Sequence, residues 1–192
     1  MEMDYRKALA DKKRIVIKIG TSSLTFPNGR LNLRRFEHIT NVISTLQQQG
    51  RQVVLVSSGA IAVGVGKMGY KKRPSTIPGK QAMAAIGQAI LAKIYRKFFD
   101  QHTIKVGQIL LTSDVITNVE KHKNAENTFA KLLEMGAVPI VNENDTVSTD
   151  EIEIGDNDTL SAMVASICKA DLLIILSDID GFFDKDPRKN PD

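Results

Sequence analysis

Val138-Pro139-Ile140-Val141-Asn142-Glu143-Asn144-Asp145 begins as an apolar strand and turns abruptly polar; a second polar cluster, Asp156-Asn157-Asp158, follows shortly after. The first cluster falls at the C-terminal end of a predicted strand, and the second sits where a helix should begin. Open α/β sheets place their ligand sites at such ends. Carboxylates and amides gathered there suit a small polar substrate that carries an ammonium. The plain alternative is a solvated hairpin followed by a helix cap, yet a simple turn does not require two such clusters.

Outward from this stretch the chain alternates strands and helices. Arg14 to Ile19 reads as a buried strand broken by Gly20-Thr21-Ser22. From Leu33 the apolar residues Phe36, Ile39, Ile43 and Leu46 keep helical spacing, with Asn32 as N-cap and Gly50 as stop. Gln52 to Val56 is a second strand, ended by Ser57-Ser58-Gly59 and followed by a small-residue helix to about Lys67. A loop from Gly69 to Pro78 precedes a long helix from about Lys80 to Phe99. Val106 to Leu111 is a third strand, and a helix around Asn124 to Met135 leads to the fourth, Ala137 to Val141. A helix over Asn157 to Lys169 and a fifth strand, Leu172 to Leu176, complete the pattern. Continuous apolar strands separated by helices predict an α/β fold, a mostly parallel sheet sandwiched between helices. No linker divides the 192 residues, so one domain is expected.

Composition excludes several classes. Hydrophobic residues make up 42% and charged residues 25%, which argues against disorder. The net charge of +4 is mild and its residues are scattered, apart from Lys71-Lys72-Arg73, which could reach a phosphate but is read first as a solvated loop. Aromatics are few and Trp is absent, so no stacking platform for nucleic acid is expected. No apolar run approaches the roughly 20 residues of a membrane span, and the first residues do not form a secretory signal; a cytoplasmic location is expected. Cys168, the single cysteine, is expected to be a buried structural thiol.

Several familiar motifs fail. Gly64-Val65-Gly66-Lys67-Met68-Gly69 has dinucleotide glycine spacing but follows a helix rather than a strand, and no acid lies between Gly69 and Asp100. It fails as a phosphate loop because Met68 occupies the Ser/Thr position. One Cys and three dispersed His do not make a zinc site, and no metal-ligating residues are assigned.

Signals remain at the strand ends. Lys18 is a cation inside an apolar strand and asks for an anionic partner, such as a phosphate beside the Gly20 turn; the alternative is a lysine that snorkels to water. Ser57-Ser58-Gly59-Ala60 places small hydroxyls before a helix start, fit either to bind a carboxylate or simply to cap. Ser177-Asp178 ends the fifth strand in the same way.

Taken in order, Val16-Ile17-Lys18-Ile19-Gly20-Thr21-Ser22, Val56-Ser57-Ser58-Gly59-Ala60-Ile61-Ala62, Gly107-Gln108-Ile109-Leu110-Leu111-Thr112, Ile140 to Asp145, Gly155 to Asp158, and Ser177 to Gly181 with Asp186-Pro187-Arg188 resemble the amino acid kinase family. The asparagine-acid cluster after the fourth strand is similar to the glutamate-phosphorylating branch, and is not shared by aspartokinases, acetylglutamate kinases or uridylate kinases. The resemblance covers about Arg14 to Asp192.

That resemblance implies ATP-dependent phosphorylation of the L-glutamate side-chain carboxylate, the first step of proline biosynthesis. It implies Lys18 and Asp158 as catalytic residues, with Asp158 orienting lysine. It further implies Ser58, Asp145 and Asn157 for glutamate, and Lys18, Gly20, Ser177 and Asp178 for the nucleotide. ATP with Mg²⁺ is the implied cofactor, L-proline a candidate feedback inhibitor, and a homo-oligomer the implied assembly. Family members continue into a further nucleotide-binding portion with a second catalytic lysine, and many carry a PUA domain. Residues 1–192 are therefore expected to be an incomplete kinase domain, inactive alone. Two other readings stay open: an amino acid kinase with a different carboxylate acceptor, and a non-catalytic amino-acid-binding fragment.

Overall fold

The structure, a computed structural model, describes residues 5–26, 30–148 and 157–177. Its strands are β1 (Arg14–Ile19), β2 (Gln52–Ser57), β3 (Val106–Leu111), β4 (Val138–Glu143) and β5 (Leu172–Leu176). Its α-helices are α1 (Tyr5–Ala10), α2 (Thr21–Leu24), α3 (Leu33–Gln48), α4 (Ala60–Met68), α5 (Ile77–Asp100), α6 (Val119–Glu134) and α7 (Asp158–Ile167). The strands form one sheet in the order β3-β4-β2-β1-β5. Every pairing in it is parallel.

Strand alternation builds two cores. Ile15, Ile17, Ile19, Val53 and Leu55 pack on one face with Phe36 of α3 and Leu91, Tyr95 and Phe99 of α5. Val16, Val54, Val56 and Val141 pack on the other with Phe129 of α6 and Val164 and Ile167 of α7. Both faces of the central strands are thus dry, which is why their sequences read as unbroken apolar runs.

This layering sets the position of the site. The helices that follow β1 and β2 lie on the first face, and those that follow β3 and β4 lie on the second. Adjacent strands β2 and β4 therefore send their chains to opposite faces, and a crevice opens between their C-terminal ends.

The structure shifts several predicted boundaries. α5 begins at Ile77 rather than Lys80, with Pro78 inside its first turn and Thr76 as cap. A proline there removes an N–H that has no helical partner anyway. α6 begins at Val119, capped by Asn118, whose side chain accepts from Lys121 N at 2.9 Å. Its first turns are exposed and polar, so apolar periodicity could not mark them. β4 continues through Asn142 and Glu143, because both still pair with β3 opposite Leu110 and Leu111. α1 and α2 were not anticipated. The Asn32 cap of α3 holds, and Gly50 after it has φ of 79°.

α4 and α5 meet backbone to backbone. A Cβ on Gly64 would lie 2.0 Å from Met83 O, and one on Gly87 would lie 1.7 Å from Ala60 O. The glycine run that imitates a dinucleotide fingerprint is a helix-packing device, and Gly69 ends α4 in the left-handed region at φ 71°.

Candidate active site

Lys18 shares the β1 face of Val16, looking toward the start of α7. It is 8% exposed, and its Nζ forms an ion pair with Oδ1 of Asp158 in the first turn of that helix. The lysine does not snorkel; it is buried against a carboxylate that is itself partly open to solvent. A Cβ on Gly20 would sit 3.8 Å from Lys18 Nζ and 3.9 Å from Leu176 O. Lys18, Gly20 and the end of β5, where Ser177 is exposed, therefore form one neighbourhood. Asp178 lies outside the described residues, as do Gly155, Asp156 and the segment from Ile179 to Arg188.

A relay of side-chain amides spans the crevice. Asn157 occupies the N-cap position of α7 but makes no cap hydrogen bond. Its Nδ2 donates instead to Ser58 Oγ at 2.9 Å and to Asn142 Oδ1 at 2.9 Å. Asn142 Nδ2 in turn donates to Gln88 Oε1 of α5 at 2.8 Å. Asn142, Asn157 and Ser58 are all buried. Ser57, one residue earlier, shares a 2.9 Å hydrogen bond with the phenol of Tyr95, which burial pushes well above its ordinary pKa. Gly59 follows at φ 100° and packs against Thr21 at the start of α2. A left-handed residue there turns the chain from β2 into α4 beside Ser58.

Asp145 follows the end of β4 in the next turn and is 5% exposed. Burial, reinforced by the neighbouring charge of Glu143, raises its pKa to about 6, while the Arg73 guanidinium pulls the other way. Arg73 belongs to the basic triplet read as solvated. It is exposed, yet its charge reaches this carboxylate. Glu143 accepts a hydrogen bond from the Ser148 hydroxyl. Gln88, Glu143, Asn144 and Asp145, with Ala84 and Gln108 among others, line a cleft of about 280 Å³.

Two buried oxygens have no hydrogen-bond partner among the described residues: Asp145 Oδ1 and Asn157 Oδ1. Buried acceptors are ordinarily satisfied. Both being acceptors, they ask for a donor, and an ammonium supplies several on one atom. Ser58 and the amino end of α4 offer the complement, a hydroxyl and backbone N–H groups suited to a carboxylate.

Of the residues expected from sequence, Ser58, Asn157 and Asp158 are brought together with Lys18 close by, whereas Asp145 lines the cleft with Gln88 and Glu143, connected to Asn157 through the Gln88 and Asn142 side chains. Sequence reasoning named Asn142 and Glu143 within a cluster but assigned them no role, and it missed Gln88 and Tyr95. A buried asparagine at the end of an apolar strand was a usable signal. Gln88 had none, being one polar residue on a long mixed helix.

Residues 13–192 match the model of the amino acid kinase family. The chain is 57% identical over 191 residues to the glutamate 5-kinase of Clostridium perfringens, covering 97% of this chain and 71% of that protein. It is 53% identical over 175 residues to the glutamate 5-kinase of a Thermoanaerobacter species, covering 91% of this chain and 47% of that one. The glutamate 5-kinase of Enterococcus faecalis is 51% identical over 189 residues, with 96% and 70% covered. The chain thus spans between about half and somewhat under three quarters of such relatives. Matched along nearly its whole length, the chain belongs to the amino acid kinase family.

Proposed function

We propose that the crevice binds L-glutamate and that the chain serves ATP-dependent phosphorylation of the glutamate side-chain carboxylate, giving glutamyl 5-phosphate as the first step of proline biosynthesis. The observation that carries this reading is the pair of buried, unpartnered acceptors, Asp145 Oδ1 and Asn157 Oδ1, with Ser58 on the same relay as Asn157. An ammonium flanked by carboxylates answers that arrangement, and the relatives named glutamate 5-kinase support glutamate as its source.

The chemistry follows from the groups present. A glutamate side-chain carboxylate is ionised at neutral pH, so no general base is needed. One carboxylate oxygen attacks the γ-phosphorus of ATP, the new P–O bond forms, the bond to the β-phosphate oxygen breaks, and ADP departs with that electron pair. Catalysis then consists of alignment and charge neutralisation. Lys18 supplies the cation, and Asp158 holds its ammonium in place. Gly20 and Ser177, with Asp178, take the nucleotide side. Among the described residues no group of three or more Asp, Glu, His or Cys is placed to hold a metal. Mg²⁺ would be carried on the triphosphate. Bound there, it would neutralise phosphate charge.

Residues 1–192 are read as the part of the kinase domain that carries the amino-acid site and one side of the nucleotide site. No helix among the described residues is long and apolar enough to cross a membrane, and a cytoplasmic location, a homo-oligomer and inhibition by L-proline belong to the same proposal.

Calorimetry tests the reading. Glutamate is expected to bind, and aspartate, N-acetylglutamate and carbamate to bind at least about tenfold more weakly, as one unmet buried hydrogen bond typically costs. Equal heats for all four acceptors, or none for glutamate, would refute it.

A further inference from the structure

The Tyr95 phenol is fully buried and has one hydrogen-bond partner among the described residues, Ser57 Oγ at 2.9 Å. Ser57 is buried too, and its hydroxyl has a second partner, the carbonyl oxygen of Ser58 at 3.4 Å. These two contacts fix the direction of both protons. Were Ser57 to donate to Tyr95, the phenolic proton would be buried without an acceptor. With Tyr95 donating to Ser57, the serine proton is left for Ser58 O and both protons are used.

The Ser58 carbonyl shares one planar trans peptide with the Gly59 N–H, and the two point in opposite directions. Holding the carbonyl toward the Ser57 hydroxyl therefore turns the Gly59 N–H the other way. Peptides alternate in direction along a strand, so at the end of β2 this N–H emerges on the side of the Ser57 carbonyl, which accepts from Asn157 Nδ2 at 3.5 Å. Backbone bonds hold the neighbours of this peptide but not the peptide itself: Ser58 N donates to Ile19 O at 3.1 Å, and Gly59 O accepts from Val63 N at 3.0 Å. Gly59 lies at φ 100°. Turning the Ser58–Gly59 peptide over would carry that angle into the negative region, which glycine adopts as readily. Backbone sterics leave both orientations open, and the buried hydroxyl pair makes the choice. No side chain caps α4, so the donors at its amino end are kept for a ligand.

We infer that Ser57, with Tyr95 behind it, is a positioning residue: its hydroxyl holds the Ser58–Gly59 peptide so that the Gly59 N–H faces the crevice as a donor to a substrate carboxylate. The inference rests on the glutamate reading above and gives the carboxylate a donor whose direction is set from inside the core.

The test is calorimetry with L-glutamate on the full chain, paired with urea denaturation. The proteins are wild type, Ser57→Ala, the double variant Ser57→Ala with Tyr95→Phe, and Ser57→Thr. Ser57→Ala strands the phenol and should lower the urea midpoint. The double variant removes both buried hydroxyls and should recover most of that loss. Glutamate affinity should fall about tenfold in both, because neither holds the Ser58 carbonyl. Ser57→Thr keeps the hydroxyl and should bind within about twofold of wild type. A double variant that regains stability and glutamate affinity together overturns the inference, since that is what a purely structural pair produces. A folded Ser57→Thr that has lost affinity overturns it as well. Should Ser57→Ala fail to fold, the double variant decides by the same criterion. A wild-type chain that binds no glutamate overturns the glutamate reading and this inference with it, whereas wild-type binding that is unaltered in the double variant overturns the inference alone.

Discussion

Asn157 Nδ2 lies 2.9 Å from Ser58 Oγ although the two residues are 99 positions apart. The start of α7 and the end of β2 are thereby tied into one unit. Asn157→Ala removes the donor to both Ser58 and Asn142 as well as the buried acceptor. Glutamate affinity should fall by about 2–5 kcal/mol, the usual cost of stranding one partner of a charged contact, while ATP binding stays near its original value. Steady-state kinetics of the longer enzyme that carries this segment separate the two, and a rise confined to the ATP Michaelis constant would contradict the assignment.

Lys18→Met keeps an unbranched apolar stem in the strand and removes the charge. In the longer enzyme that carries this segment with the rest of the nucleotide site, turnover in glutamate-dependent ADP release should fall on the order of a hundredfold or more. The fold should survive, because Asp158 has 42% of its side chain exposed and can be hydrated once its partner is gone. A folded variant with near-normal turnover would remove Lys18 from the chemistry.

Asp145 makes the site sensitive to pH. Its pKa is raised to about 6 by burial first and by Glu143 second. The ionised form is the one that takes an ammonium, so glutamate affinity should fall about tenfold per unit below that value. The effect on stability has the opposite sign. The folded state holds this proton more tightly than the unfolded chain, so the stabilising contribution is complete below the unfolded pKa and is lost as pH rises through about 6. Asp145→Asn should therefore be more stable than wild type at pH 8, by at most about 3 kcal/mol, and should bind glutamate poorly at every pH. Denaturant midpoints at acid and alkaline pH check the first statement, and calorimetry the second.

Gly87→Ala should be strongly destabilising despite the higher helix propensity of alanine. The added Cβ would fall 1.7 Å from Ala60 O, and backbone cannot rotate away from it. A loss of about 1–3 kcal/mol or more is expected from such overpacking. Because Ala60 begins the helix next to Ser58, glutamate binding should weaken as well. Unchanged denaturation and binding would mean that α4 and α5 are not in backbone contact.

The alternation of strands and helices, the parallel sheet and most strand limits were legible in the chain, because a strand buried on both faces must be apolar throughout. β1, β3 and β5 follow the sequence reading residue for residue. Where apolar patterning ended, legibility ended with it. Val119 to Asn124 is helical yet solvent-facing, and Asn142 and Glu143 are strand yet polar. Lys18, Ser58 and Asn157 were visible as polar residues in apolar or helix-starting positions. Which residue each one touches was not.

Sequence alone determined the polar strand ends and the buried lysine, since these depend on residue type and local order. Only the tertiary structure decided that β4 lies beside β2, that α7 starts against β1, and that Asn157 spends its amide on Ser58 and Asn142 rather than on its own helix. Those outcomes depend on strand order and on which face each helix covers. They are fixed by long-range packing between segments that local propensity cannot connect.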